Sequence, residues 1–375
     1  MHKLCLAVLL LTVVLPLGEC QQTTPAVDEI ANRHIQALGG IDSIHGLHSL
    51  VIRGIYHEPG EIPSDASVLE PRAYQAFLRP YYEVIGDPAV EHPDIREGFD
   101  GSAWEYYGNP GVVLRTVGAA AAATRHASEF LQDSIVDFKA KGTKIELGGM
   151  EKIGDLNTYR LQVTLADGFQ KLVFVDERSF LIAAERKSAP IHAFGKAVAT
   201  ETRFSDYRPE TGVMMYHRAL EVEIATGKVL NEFRRVVVEI NSLNDPSIFS
   251  PSPYPHTPLQ QFLEQLYMER TDSVSVTYSY RVFREAHPEL DTREGVEFIG
   301  YQIVKMGDFK AGIELLHANA NDYPHSASAQ YELGRAYKAA GNPVLARKSF
   351  QRALQIDPTF HKARDAMKSG RQHAD

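Results

Sequence analysis

The chain has 375 residues, with 39 Lys and Arg against 48 Asp and Glu, for a net charge of −9. Residues 291–375 carry 12 basic and 10 acidic side chains, so the acidity lies upstream and argues against nucleic-acid binding by the larger part of the chain. Both cysteines, Cys5 and Cys20, fall within residues 1–20, and beyond them disulfides, zinc-thiolate sites and thiol catalysis are excluded.

Lys3, an apolar run from Leu4 to Leu17, and then Gly18, Glu19 and Cys20 predict a secretory signal peptide over residues 1–20, too short for a membrane anchor. Cleavage after Cys20 leaves Gln21 first. Acylation of Cys20 is the less favoured route, since it wants a small residue where Glu19 stands. An exported chain without cysteine fits a Gram-negative periplasm. Its length suggests two domains, and no later stretch is apolar enough to span a bilayer.

Residues 27–38 set Val27, Ile30, Ala31, His34, Ile35 and Leu38 along one helical stripe, stopped by Gly39 and Gly40. A short helical turn over 41–47 leads into a first strand, 49–57. Segments of β character recur at 73–85, 103–107, 112–117, 144–147, 159–165, 170–175, 180–187, 199–207, 214–224 and 229–240. Turn signals such as Asp100-Gly101, Asp167-Gly168 and Thr226-Gly227 separate them. Successive hairpins predict an antiparallel meander, and one sheet of so many strands must curl or close. One helix interrupts it, with alanines over 119–123 followed by Glu129, Phe130, Leu131 and Ile135. The alanine run either lies against the sheet as part of a lid or reflects only the helix propensity of alanine.

Trp104, Tyr106 and Tyr107 have the amphipathic rings that suit the mouth of an apolar cavity, although alternation lets only one face of a strand look inward. Trp104, Tyr106 and Phe130 are the candidate ligand-binding residues. Glu221 and Glu223 share a strand face near Arg234 and Arg235, which points to cross-strand ion pairing.

The layout over residues 25–250 resembles lipoprotein-sorting carriers of the LolA/LolB type and exported proteins that fuse such a domain to tetratricopeptide (TPR) repeats. The resemblance rests on Ile35-Gln36-Ala37-Leu38-Gly39-Gly40, on Gly98-Phe99-Asp100-Gly101 followed by Trp104, on the hairpin over 159–176, and on Val238 to Asn241 running into Ser247-Ile248-Phe249. It implies an α+β fold: a curved antiparallel sheet forming an unclosed barrel, covered by helices, whose apolar cavity holds acyl chains, with no catalytic residues.

A proline-rich segment, 246–258, reads as a linker from this β domain (21–245) to a helical array (259–370). Leu333, Gly334, Tyr337, Ala346, Phe350, Ala353 and Pro358 stand in the order of a TPR hairpin. The pattern recurs 34 residues upstream at Ile299, Gly300, Ile303, Gly312, Leu316 and Pro324. A first repeat ends at Pro288 and is degenerate, with Glu264 in place of the glycine. Thr257 and Pro258 supply its N-cap and first helical position. Thr359 to Gly370 reads as a polar capping helix, and this cap and the last repeat are basic, which marks a solvated face, a site for an acidic peptide, or a docking surface for the β domain. Register directs Glu297, Tyr301, Lys305, Tyr331, Arg335 and Lys338 into the concave groove as partner-binding residues. Tyr331 stands where a carboxylate clamp has a lysine.

No nucleophile elbow, metalloprotease motif, phosphate-binding loop or dinucleotide fingerprint occurs, and no cofactor is expected. His45, His48 and His57-Glu58 could meet around a metal, but such histidines more often cap or pack. The expected function is a non-enzymatic periplasmic protein that binds a lipid or lipoprotein acyl chain in the β domain and a protein through the repeats. The alternative is an envelope-assembly scaffold without a small ligand.

Overall fold

The β-rich segments form one antiparallel sheet of 13 strands in the computed structural model, which describes residues 25–57, 73–79, 82–85, 95–129, 131, 133–190, 192–254 and 256–369. The expected signal peptide over residues 1–20, Glu58 and Phe130 lie outside these residues. The strands are β1 (Ser49–His57), β2 (Ala73–Leu78), β3 (Tyr82–Ile85), β4 (Ile95–Phe99), β5 (Ala103–Tyr107), β6 (Val112–Arg115), β7 (Lys144–Ile153), β8 (Leu156–Thr164), β9 (Gln170–Asp176), β10 (Ile182–Ala189), β11 (Val198–Glu210), β12 (Val213–Glu223) and β13 (Val229–Ile240). Strands β1 to β6 build outward to one edge, and β7 to β13 return from the opposite edge until β13 pairs with β1, Leu50 opposite Ile240. The edges β6 and β7 do not pair, so the sheet is not closed into a barrel.

Helices α1 (Val27–Ala37) and α2 (Ile41–His45) cover one face. Ile30 and Ala31 pack on Leu161, Val163, Val173 and Val175, while Leu38, Ile44 and Leu47 pack on Leu50, Ile52, Phe77, Val213 and Met215. Between the two halves of the sheet, α3 (Gly118–Ala127) touches β4 and β5 on one side and β10 on the other. The alanine-rich helix therefore lies across the concavity, where small side chains let it approach the strands.

The opposite face carries Val51, Tyr74, Ala76, Trp104 and Tyr106 under the segment 243–254. The stretch expected as a linker thus lies on the sheet as far as Tyr254. Pro246–Phe249 is a 3-10 turn capped by Asp245, and Phe249 is fully buried. Its prolines are interleaved with Ile248, Phe249 and Tyr254, and these apolar groups favour burial over an extended tether. Strand β4, which the sequence does not announce, contains Gly98 because the indole of Trp104 lies over it; a Cβ there would come within 2.6 Å of the ring. The segment 73–85 is a hairpin of two strands rather than one.

The helical array consists of α4 (Pro258–Met268), α5 (Ser273–Ala286), α6 (Arg293–Met306), α7 (Phe309–Asp322), α8 (Ala327–Ala339), α9 (Pro343–Ile356) and α10 (His361–Ser369). Thr257 caps α4 through Gln260 N, as its sequence predicts. The glycines are contact points: a Cβ on Gly300 would lie 2.7 Å from Leu316, and one on Gly334 would lie 2.5 Å from the Phe350 ring.

The array is fixed to the sheet by its first helix rather than by its basic end. The Gln260 side chain bonds both the amide and the carbonyl of Val113, and Glu264 accepts from Arg115 N at 3.0 Å. Two residues of α4 thereby satisfy the open edge of β6, which would otherwise invite another strand. The glycine position of the degenerate repeat holds Glu264 because it faces this edge. Tyr107, Val112, Leu114 and Phe194 share one core with Phe262, Leu266, Tyr267, Val296, Ile299 and Ile303.

Candidate binding surfaces

Three groups of side chains bear on function, and the first lies on the array. Helices α6 and α8 bring Tyr301 and Tyr331 to either side of Arg335, whose guanidinium carbon is 3.5 Å from the Tyr301 ring centroid and 5.7 Å from that of Tyr331. Arg335 also pairs with Glu332 at 2.8 Å, and Tyr331 packs against Phe350 and Phe360. One turn away Glu297, 9% exposed, accepts from the Ser328 hydroxyl at 2.9 Å. Burial pushes the Glu297 carboxyl up to about 7 against the Ser328 hydrogen bond. Burial also raises Glu332, with Arg335 opposing. Lys305 and Lys338 are exposed at the ends of their helices. The structure thus joins Tyr301, Tyr331 and Arg335 in one stack and sets Glu297 beside it, an amphipathic strip suited to a polypeptide.

The second group lies on the concave face of the sheet. Register places Tyr56 with Phe233, Ile85 with Glu97, and Ile95 with Tyr107, on the same side as the buried Ile52 and Phe77. Tyr56, Ile85 and Ile95 are 48%, 36% and 45% exposed. The far half of the same sheet is charged instead. Buried Glu185 lies 2.6 Å from Lys171 and 3.4 Å from Lys187, and Arg235 sits 3.7 Å from the Tyr216 ring centroid. Burial alone would raise Glu185, but the two lysines overcome it and hold the carboxyl low. Exposed apolar surface on the concave side is therefore concentrated near β1, β3 and β4.

Trp104 and Tyr106 look the other way. The Trp104 indole N–H donates to the Phe249 carbonyl at 2.8 Å, and Tyr106 stacks on Tyr254 at 3.9 Å. Both faces of β5 are covered, which is why all five of its residues are buried. Sequence alternation could identify Trp104 and Tyr106 as partners on one face, but not which face the helices would cover.

The third group was not foreseen. Glu97, Glu105 and His192 come together where β4, β5 and the loop after β10 meet, beside Tyr107. The 88-residue separation of Glu105 from its bonded neighbour Ala193 hides this group from any local motif. By contrast His45 bonds Asp137 at 2.7 Å, and the residues expected to pair across β12–β13 have other partners: Glu221 accepts from Asn231, Glu223 from Thr226, Arg234 pairs with Glu232, and Arg235 lies over Tyr216. Among the described residues no helix is long and apolar enough to cross a membrane.

The tetratricopeptide repeat family matches residues 327–360. This span covers α8, α9 and the turn that follows, the same helices that carry Tyr331, Arg335 and Phe350. Over about 60% of the chain, solved structures of similar fold include proteins of the LolA superfamily and the DUF1329 family. A DUF1329 family protein from Desulfovibrio piger is 12% identical, with a TM-score of 0.39, covering 62% of this chain and 100% of its own. A LolA superfamily protein from Nitrosomonas europaea is 15% identical, with a TM-score of 0.37, covering 61% and 100%. A putative outer membrane lipoprotein-sorting protein domain from Vibrio parahaemolyticus is 12% identical, with a TM-score of 0.32, covering 60% and 96%. No curated protein matches the chain.

Proposed function

We propose that this is a non-catalytic periplasmic binding protein that holds an acyl chain or similar apolar ligand against the concave face of its sheet and a polypeptide in the groove of its TPR array. The observation that carries the ligand reading is the exposed group Tyr56, Ile85 and Ile95 on the side of the sheet otherwise covered by helices. Apolar groups on a curved, helix-spanned face gain about 0.8 kcal/mol for each methylene they remove from water. The Tyr301–Arg335–Tyr331 stack supports the polypeptide reading, because it presents aromatic faces and a held guanidinium to one groove.

The test is to purify the protein without detergent, extract it and identify bound lipid by mass spectrometry. Stoichiometric lipid in the wild type, lost in Ile95→Asp while the thermal transition is kept, is the expected result. A lipid-free, stable wild type would overturn the ligand reading. The rival is a pure interaction scaffold, favoured by the continuous core between Tyr107 and Phe262 that fixes array to sheet. It predicts that captured partners depend on Tyr301 and Arg335 while no lipid is found.

A further inference from the structure

We propose that Glu97, Glu105 and His192 form a binding site for a divalent transition-metal ion such as Zn2+, placed at the joint between the sheet and the TPR array. One ligand atom from each lies within 4.8 Å of the others. Glu97 on β4 and Glu105 on β5 are directly opposite in register, so both carboxylates project from one face. His192 approaches from the loop after β10, its Nδ1 4.0 Å from Glu97 Oε2.

The environment of Glu105 makes this more than a meeting of acids. Its side chain is 1% exposed, and its two oxygens accept from the Tyr107 hydroxyl and from Ala193 N at 2.7 Å. No cationic side chain is among its hydrogen-bond or ion-pair partners in the described residues. A carboxylate kept from water without a counter-cation is costly. Among other buried carboxylates, Glu185 on β10 has Lys171 beside it, Glu201 on β11 has Arg186, and Asp133 has His34. A metal ion would supply the positive charge that Glu105 lacks.

The donor set fits zinc: one imidazole nitrogen and two carboxylates, at bond lengths of about 2.0–2.2 Å, with a fourth position left to water. Closing the donors from 4.8 Å to the spacing of a tetrahedral site needs a movement of roughly an ångström. Glu97 and His192 are partly exposed and can make it. The residues after His192 give the ion a role. Ala193 and Phe194 pack against Tyr107 and Tyr267, and the Tyr267 hydroxyl donates to the Ala193 carbonyl at 3.4 Å. An ion held by Glu97, Glu105 and His192 would tie this loop to β4 and β5, and so brace the surface on which α4 is seated.

The experiment is a Co2+ titration of the chelator-stripped, untagged full-length protein, followed by visible absorption, with Zn2+ as competitor. One equivalent should give ligand-field bands, removed by Zn2+ and weakened at least tenfold in His192→Ala and in Glu105→Gln. Glu105→Gln can keep its oxygen as the acceptor for Ala193 N while its amide donates to the Tyr107 hydroxyl oxygen, and His192 is a partly exposed loop residue, so both variants should fold. Zn2+ should also raise the wild-type melting temperature and leave that of both variants unchanged. Absence of bands at stoichiometric Co2+ would overturn the assignment, as would wild-type affinity in both variants, since the ion would then sit elsewhere, for instance at His45 and Asp137.

Discussion

The side chain of Gln260 meets the backbone of Val113 at both ends, its amide donating to the Val113 carbonyl while its oxygen accepts from Val113 N at 3.1 Å. A helix residue thus imitates the missing neighbour strand of β6. Replacing Gln260 with Leu keeps the apolar bulk and leaves two main-chain groups unpaired at a covered edge. The expected loss is about 2 kcal/mol in urea unfolding. Gln261→Leu, on the exposed side of the same turn, is the control and should change stability by less than about 0.5 kcal/mol.

The repeat glycines differ in what faces them. A Cβ on Gly312 would meet the Gly300 carbonyl oxygen at 2.7 Å and Val304 N at 3.0 Å, both main chain, whereas Gly334 faces the edge of the Phe350 ring. Gly312→Ala should therefore cost more than Gly334→Ala, within the range of about 1–3 kcal/mol for overpacking. Equal effects in thermal unfolding would count against the close approach of α6 and α7.

The array is legible in the sequence because Gly300 and Gly334, Gly312 and Ala346, and Leu316 and Phe350 correspond across one repeat, and period encodes helix contacts directly. The hairpins of the sheet were legible from alternation and turns such as Thr226-Gly227. The faces were not. Whether Trp104 looks into a cavity or under Phe249 depends on where 243–254 settles, a contact across 145 residues. The Glu97–Glu105–His192 cluster was invisible for the same reason, since no spacing relates strands β4 and β5 to the loop after β10.

His34 sits on α1 with both ring nitrogens facing acceptors: Nδ1 is 2.6 Å from the Phe180 carbonyl and Nε2 is 2.7 Å from Asp133. Two acceptors require two N–H donors, so the ring is the imidazolium. Burial disfavours both charges, but their attraction overcomes it, raising His34 above 6.5 and holding Asp133 well below 3.8. The Asp133 contribution is present above pH 3.8 and lost as pH falls through its depressed value. The His34 contribution is present below pH 6.5 and lost as pH rises through its raised one. The deficit of Asp133→Ala relative to wild type should be about 3–5 kcal/mol between roughly pH 4 and 6.5, and shrink on either side. A deficit constant with pH in denaturant titrations would show that the pair is not ionised.

Glu297 works in the opposite sense. Its carboxyl is raised from 4.5 to about 7 by burial in the array groove. Between these values the folded protein binds a proton that the unfolded chain has released, so stability must fall as pH rises across that window. The penalty, complete above pH 7, is roughly 3 kcal/mol at 1.36 kcal/mol per pH unit. Glu297→Gln has no proton to lose and can still bond Ser328. Its advantage over wild type should be near zero below pH 4.5 and grow to about that magnitude above pH 7. A bound acidic peptide near Arg335 would sharpen the effect by disfavouring the carboxylate further, whereas a basic segment would stabilise it. The pH dependence of partner affinity in wild type against Glu297→Gln therefore reports the sign of the charge that enters the groove.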